Sequence, residues 1–176
     1  NRELKSPKDM VGMKYRIPNL PIFEKNARAM GATPVVVAWS EYPFALMQGV
    51  VDGGECSKDS YRSAGLYESA KYVADVDYAY PVEQICFSTQ FWNSLSEEDQ
   101  KVISDAAAQV ASHHSERTLD KWEEDKEWLI NEGGVTFCDI DRQAFIDAAE
   151  PLGKELQDEG FFTTKDLYDQ TRQFNK

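Results

Sequence analysis

Apolar residues in the first half of the chain come in short bursts separated by turn-forming residues. Met13, Tyr15 and Ile17 fall on one side of an extended segment and Lys14 and Arg16 on the other. That alternation predicts a strand over 13–17, ended by Pro18. Phe23, Ala27 and Met30 share one helical face. Asn19 is suited to cap that helix, and Gly31 to close it in the left-handed conformation. Val35, Val36 and Val37 stand in a row without polar alternation, the pattern of a strand buried on both faces. This second strand is predicted from Thr33 to Trp39. Ser40 is placed to cap the next helix, with Pro43 in its first turn and Gly49 at its end. Val50 and Val51 open a further strand over 50–53. Strand, helix, strand, helix, strand at this spacing predicts a mostly parallel α/β sheet with helices on both faces.

A third helical stretch is predicted from about Tyr61 to Val73, a break at Pro81 and a strand over Ile85–Phe87. Ser96 followed by Asp99 then has the form of a capping box. No proline or glycine appears from there until Gly133. Val102, Ile103, Ala106, Val110, Leu119, Trp122 and Leu129 recur at helical spacing, so one helix of roughly 50 Å is predicted at ~1.5 Å per residue. Such a helix is longer than one small α/β lobe; it either bridges two lobes or breaks midway. Val135–Cys138 reads as a strand, and two helices follow, near 142–159 and 164–174.

Composition narrows the function. The net charge is −12 and no cluster of Lys or Arg occurs, which argues against nucleic acid and against an anionic membrane surface. No apolar run approaches the ~20 residues of a membrane helix. Residues 1–10 are polar and lack a signal-peptide core, so either the protein is not exported or the numbering starts after an export signal. An anionic ligand would need a local positive site within this acidic chain. The three cysteines, Cys56, Cys86 and Cys138, include no CxxC pair, which argues against zinc and thioredoxin chemistry. GxSxG, HExxH and glycine-rich phosphate loops are absent from the sequence, and no cofactor or metal is expected.

Two residues stand out chemically. Arg16 ends a predicted parallel strand, where α/β sheets bind ligands, and a guanidinium matches a carboxylate in two hydrogen bonds. From the residues alone, an ion pair with one of the 31 acidic residues is the more ordinary explanation. Trp39 ends the second predicted strand on the same sheet edge, as a ligand contact or as a core residue. His113 and His114 are neighbours on the long helix and point about 100° apart, so they cannot chelate one metal. The acidic run from Asp120 to Glu127 reads as a solvated face.

Four segments in order carry a family resemblance over roughly residues 6–103. They are Ser6-Pro7-Lys8-Asp9-Met10-Val11-Gly12-Met13-Lys14-Tyr15-Arg16-Ile17-Pro18; Trp39-Ser40-Glu41 with Ala45-Leu46 and Gln48-Gly49-Val50-Val51-Asp52-Gly53; Leu66-Tyr67-Glu68 with Lys71-Tyr72; and Phe91-Trp92-Asn93-Ser94-Leu95 with Glu98-Asp99-Gln100. The chain thereby resembles the C-terminal part of the periplasmic solute-binding proteins of tripartite ATP-independent (TRAP) transporters. The resemblance implies an α/β, periplasmic binding protein-like clamp of two lobes with mostly parallel sheets and a long interlobe helix, lacking here the N-terminal part of the first lobe. Residues 1–80 would form the ligand-binding lobe. Residues 81–134 would return to the other lobe and carry the spanning helix, and 135–176 would supply the last strand and helices.

The same resemblance implies a receptor, not an enzyme: it would work in the periplasm after signal-peptide removal, bind a small carboxylate and deliver it to TRAP membrane permease subunits. Arg16 matches the family's carboxylate-binding arginine, and Trp39 the aromatic that packs on the ligand. Asn19 is a further candidate ligand contact, though capping explains it too. Cys56 stands where family members often have a ligand-binding Asn, which implies a less polar wall or a substitute such as Ser57 or Ser60. Pro43 likewise replaces a common aromatic. Two other classes fit the residues: an α/β enzyme domain acting on a small organic acid, with Arg16 as clamp and Glu41 or Asp52 as base, and an interaction module built on the long helix.

Overall fold

The computed structural model describes residues 2–77, 79 and 84–174. Pro81, the expected chain break, lies outside the described residues. Contacts divide the chain into two units, Asn1–Val76 with Leu129–Lys176, and Asp77–Trp128.

The first unit holds the sheet. Strand β1 (Lys14–Ile17) pairs in parallel with β2 (Thr33–Val36) on one side and with β3 (Gly53–Gly54) on the other. Helix α1 (Pro21–Ala29) makes the first crossover and α2 (Tyr42–Met47) the second. The strand order is therefore β2-β1-β3. Chain direction across the sheet reverses at β1, so the carboxyl ends of β1 and β3 flank a topological switch point. Open parallel sheets bind ligands in that crevice.

Local chemistry explains the boundaries. Gly31 and Gly49 follow α1 and α2 with φ of +85° and +67°, the left-handed cap in which a side chain would be strained. Val50 and Val51 both direct their N–H groups to the Ala45 carbonyl. They finish the helix cap, which is why β3 begins at Gly53 and not at Val50. The valine run also differs from expectation. Val36 is 55% exposed, so no described residue covers its face of β2, which pairs only with β1 among the described strands. The helix expected over 61–73 is interrupted at Gly65, which has φ +68°. It resolves into α3 (Lys58–Ser63), a 3-10 turn at Leu66–Glu68 and β4 (Tyr72–Val73). Strand β4 pairs in parallel with β5 (Thr136–Phe137) in a second small sheet.

Met10, Met13, Met30, Ala32 and Phe145 form a buried core, with Leu4, Tyr15 and Ile140 packed against it. Phe145 comes from α6 (Arg142–Asp158), which Asp141 caps through the Ala144 N–H. The last helix is α7 (Leu167–Arg172).

In the second unit, Ile85–Phe87 forms no strand: no described segment pairs with it, and Phe87 stacks instead on Phe91 of α4 (Thr89–Ser94). Helix α5 runs unbroken over Glu97–Asn131. It opens at the predicted cap: the Asp99 N–H donates to Ser96 Oγ at 3.1 Å, and that hydroxyl, in place of the Ser96 N–H of a full capping box, donates to Asp99 Oδ2 at 2.6 Å. Its 35 residues span ~52 Å at ~1.5 Å each. Trp122 and Leu129 are buried, whereas Val102, Val110 and Leu119 are exposed.

Candidate functional site

Arg16 sits at the carboxyl end of the central strand, opposite Val35 on one side and Gly54 on the other. Polar alternation would put it with Lys14 in solvent, yet Lys14 is exposed and Arg16 only 4% exposed. The chain segments leaving β2 and β3 enclose it. Its Nε donates to the Val37 carbonyl at 2.9 Å, and Nη1 donates to Glu55 Oε1 at 3.2 Å. The guanidinium lies 5.5 Å from the Trp39 ring centroid and 5.1 Å from that of Tyr42. Both approaches are within cation–π range.

Nη2 makes no hydrogen bond to a described residue. Among the described residues, no side-chain nitrogen or oxygen is both sealed from solvent and unbonded, so Nη2 keeps an opening to the surface. A buried ion pair recovers little of its desolvation cost. Packing alone therefore gives weak reason to keep this cation here, while a guanidinium with one nitrogen open suits an incoming carboxylate.

Trp39 begins a 3-10 turn, Trp39–Glu41, just past β2. It is 42% exposed and stands 5.9 Å from the Tyr42 ring, so it is no core residue. Cys56 follows Glu55 at the end of β3. Burial, reinforced by the charges of Glu55 and Asp59 and partly offset by Arg16, pushes its thiol up to about 12. It is a neutral thiol at every physiological pH. Asn19 is exposed and caps nothing: Leu20 is the N-cap of α1, and Pro21 occupies the first turn. Ser40 lies inside the 3-10 turn, and Glu41 takes the N-cap position of α2. Thus Arg16 and Trp39 meet and Cys56 lies beside them, while Asn19 is exposed and makes no hydrogen bond to a described residue.

Two contributors escaped sequence reasoning. Glu55 belongs to the segment around Cys56, but nothing local says that it pairs with an arginine 39 residues away. Tyr42 reads as an ordinary apolar helix position; it is 2% exposed and carries the guanidinium on its ring. The proposed bases are placed otherwise. Asp52 Oδ2 accepts the Lys14 N–H at 2.8 Å, at the amino end of β1 and away from Arg16. Glu41 is exposed in the 3-10 turn. No group of acidic, His and Cys side chains suited to a metal occurs among the described residues, and no described helix is long and apolar enough to cross a membrane.

The profile of a family described as bacterial extracellular solute-binding protein, family 7, matches residues 1–159. A solute-binding protein of Roseobacter denitrificans is 35% identical over 149 residues, covering 85% of this chain and 46% of the relative. The sialic acid-binding periplasmic protein of Vibrio cholerae is 30% identical over 157 residues, covering 89% and 48%. The chain thus spans about half the length of these curated relatives. Among solved structures, a TRAP periplasmic solute binding protein of Roseobacter denitrificans with bound L-galactonate aligns at a TM-score of 0.85 and 30% identity, covering 99% of this chain and 56% of that one. One from Chromohalobacter salexigens with bound D-glucuronate aligns at 0.84 and 27%, covering 90% and 53%.

Proposed function

Because the chain belongs to the bacterial extracellular solute-binding proteins of family 7, we propose that it is the ligand-holding part of a periplasmic TRAP receptor for a small carboxylate. The receptor binds its solute without chemical change and delivers it to the membrane permease. In this reading residues 1–80 are the ligand-binding lobe, 81–134 return to the other lobe and carry the long helix, and 135–176 complete the fold. The observation that carries the proposal is the guanidinium of Arg16, held at the switch point with Nη2 open. Solved relatives with L-galactonate and D-glucuronate bound support the choice of a carboxylate.

Arg16 takes the carboxylate, Trp39 covers the ligand body with its exposed face, and Cys56 supplies an uncharged, weakly polar wall. Asn19, exposed and making no hydrogen bond to a described residue, is the fourth candidate contact. The deciding experiment is mass spectrometry of the compound that copurifies with the full-length protein, followed by calorimetry with that compound. Recovery of an unchanged carboxylic acid whose affinity falls at least a hundredfold in Arg16→Ala supports the receptor; turnover of the compound refutes it. A hydrogen bond to a charged group is worth about 1.5–3 kcal/mol, and a hundredfold corresponds to about 2.7 kcal/mol, so loss of the charged bond from Nη2 accounts for that factor.

A further inference from the structure

Tyr42 performs two separable tasks with two parts of one side chain. Its ring lies under the Arg16 guanidinium, 5.1 Å from centroid to Cζ, and phenylalanine would serve that purpose as well. Its hydroxyl has no such account. Tyr42 is 2% exposed, and its Oη makes no hydrogen bond to a described residue. A buried hydroxyl without a partner is a cost to folding.

The hydroxyl is nevertheless not walled in. No described side-chain oxygen is both sealed and unbonded, so Tyr42 Oη reaches solvent through a narrow opening, as Arg16 Nη2 does. Gly54 shows where it points. A Cβ on Gly54 would stand 2.6 Å from Tyr42 Oη and 2.7 Å from Arg16 Cβ. The hydroxyl and the base of the arginine side chain therefore converge over the same glycine, at the carboxyl end of β3. Removing one Cβ makes the room.

We propose that the Tyr42 hydroxyl is a second ligand donor, giving a hydrogen bond to one oxygen of the carboxylate whose other oxygen Arg16 Nη2 receives. This rests on the receptor reading above. The division of labour follows from how Arg16 is already used: Nε is committed to Val37 and Nη1 to Glu55, so the side-on fork of Nε and Nη2 is not available to the ligand. A carboxylate seated on Nη2 leaves an oxygen that needs another donor, and a neutral hydroxyl supplies one without adding charge. Burial raises the Tyr42 pKa, with the arginine opposing, so the hydroxyl keeps its proton at the pH where a carboxylate is ionised.

The test is calorimetry of the full-length protein with L-galactonate and D-glucuronate, comparing wild type, Tyr42→Phe and Arg16→Ala, with thermal midpoints measured without ligand. The expected result is about a tenfold loss of affinity in Tyr42→Phe, a midpoint equal to or above wild type, and a far larger loss in Arg16→Ala. Affinity within twofold of wild type in Tyr42→Phe overturns the proposal while leaving the arginine clamp intact. A loss of affinity accompanied by a lowered midpoint makes the hydroxyl a structural group and also overturns it. If the folded wild type binds neither acid, the site is not one for a sugar-acid carboxylate and this proposal falls, while the receptor reading stands or falls on the copurified compound.

Discussion

Arg16 Nη1 and Glu55 Oε1 meet at 3.2 Å with side chains only 5% and 17% exposed, at the carboxyl ends of adjacent strands. Removing one member of a buried pair leaves the other charged and poorly solvated, which typically costs about 3–5 kcal/mol. Glu55→Ala should therefore lower stability by about 3 kcal/mol, near the bottom of that range because Glu55 keeps some solvent. Glu55→Gln retains an acceptor for Nη1 and should cost less than half as much. Urea denaturation of the full-length variants checks this. Equal losses in the two variants would mean that the carboxylate's charge, and not its role as a hydrogen-bond acceptor, holds Arg16.

Gly54 is where Tyr42 and Arg16 crowd together, so Gly54→Ala should cost about 1–3 kcal/mol through overpacking. Only part of the penalty should be relieved in the background of Tyr42→Ala, because the hydroxyl is gone but Arg16 Cβ still stands 2.7 Å from the new Cβ. A double-mutant cycle reads this directly. Strict additivity would show that the clash is not with Tyr42.

Stability should fall on the alkaline side. The Cys56 thiol, with an ordinary value of 9.0, is raised to about 12 by burial, and burial also raises Tyr42 and Tyr61. A raised pKa in the folded state means that the unfolded chain releases those protons first. The contribution is therefore complete below pH 9 and is lost progressively as pH rises towards 12. Unfolding free energies at pH 7, 9 and 10.5 should decrease across the last two points, and Cys56→Ala should flatten the decrease.

The same burial protects Cys56 from reagents, because the thiolate is the nucleophile. At pH 8, iodoacetamide should modify exposed Cys86 well before Cys56, with peptide mapping as the readout. Comparable rates would mean that the end of β3 is open to solvent.

At the start of α5, Ser96 satisfies the Asp99 N–H. Ser96→Ala should cost about 1 kcal/mol and speed amide exchange over 97–103, leaving the sheet around Arg16 unaffected. Unchanged exchange there would show that the cap contributes nothing to helix entry.

Much of this architecture is legible along the chain because it is written in local terms. Glycines at 31 and 49 close helices, Ser96 and Asp99 open one, and the uninterrupted stretch after them becomes one 35-residue helix. Local preference misled where two local solutions competed. Val50 and Val51 have the composition of a strand, but their N–H groups are claimed by Ala45 in the preceding helix cap. Tyr72 and Val73 extend a helical pattern, yet Gly65 ends it and β5 offers a partner.

By itself, the sequence determined that parallel strands alternate with helices and that an arginine lies at the carboxyl end of the first strand. It did so because periodicity and capping depend on neighbours three or four residues apart. Only the tertiary structure decided that β1 is the central strand and β2 the edge, and that order accounts for the rest. Arg16 is buried between the segments leaving its two neighbouring strands. Glu55 and Tyr42 become its partners because lateral strand order brings together residues that no local pattern relates.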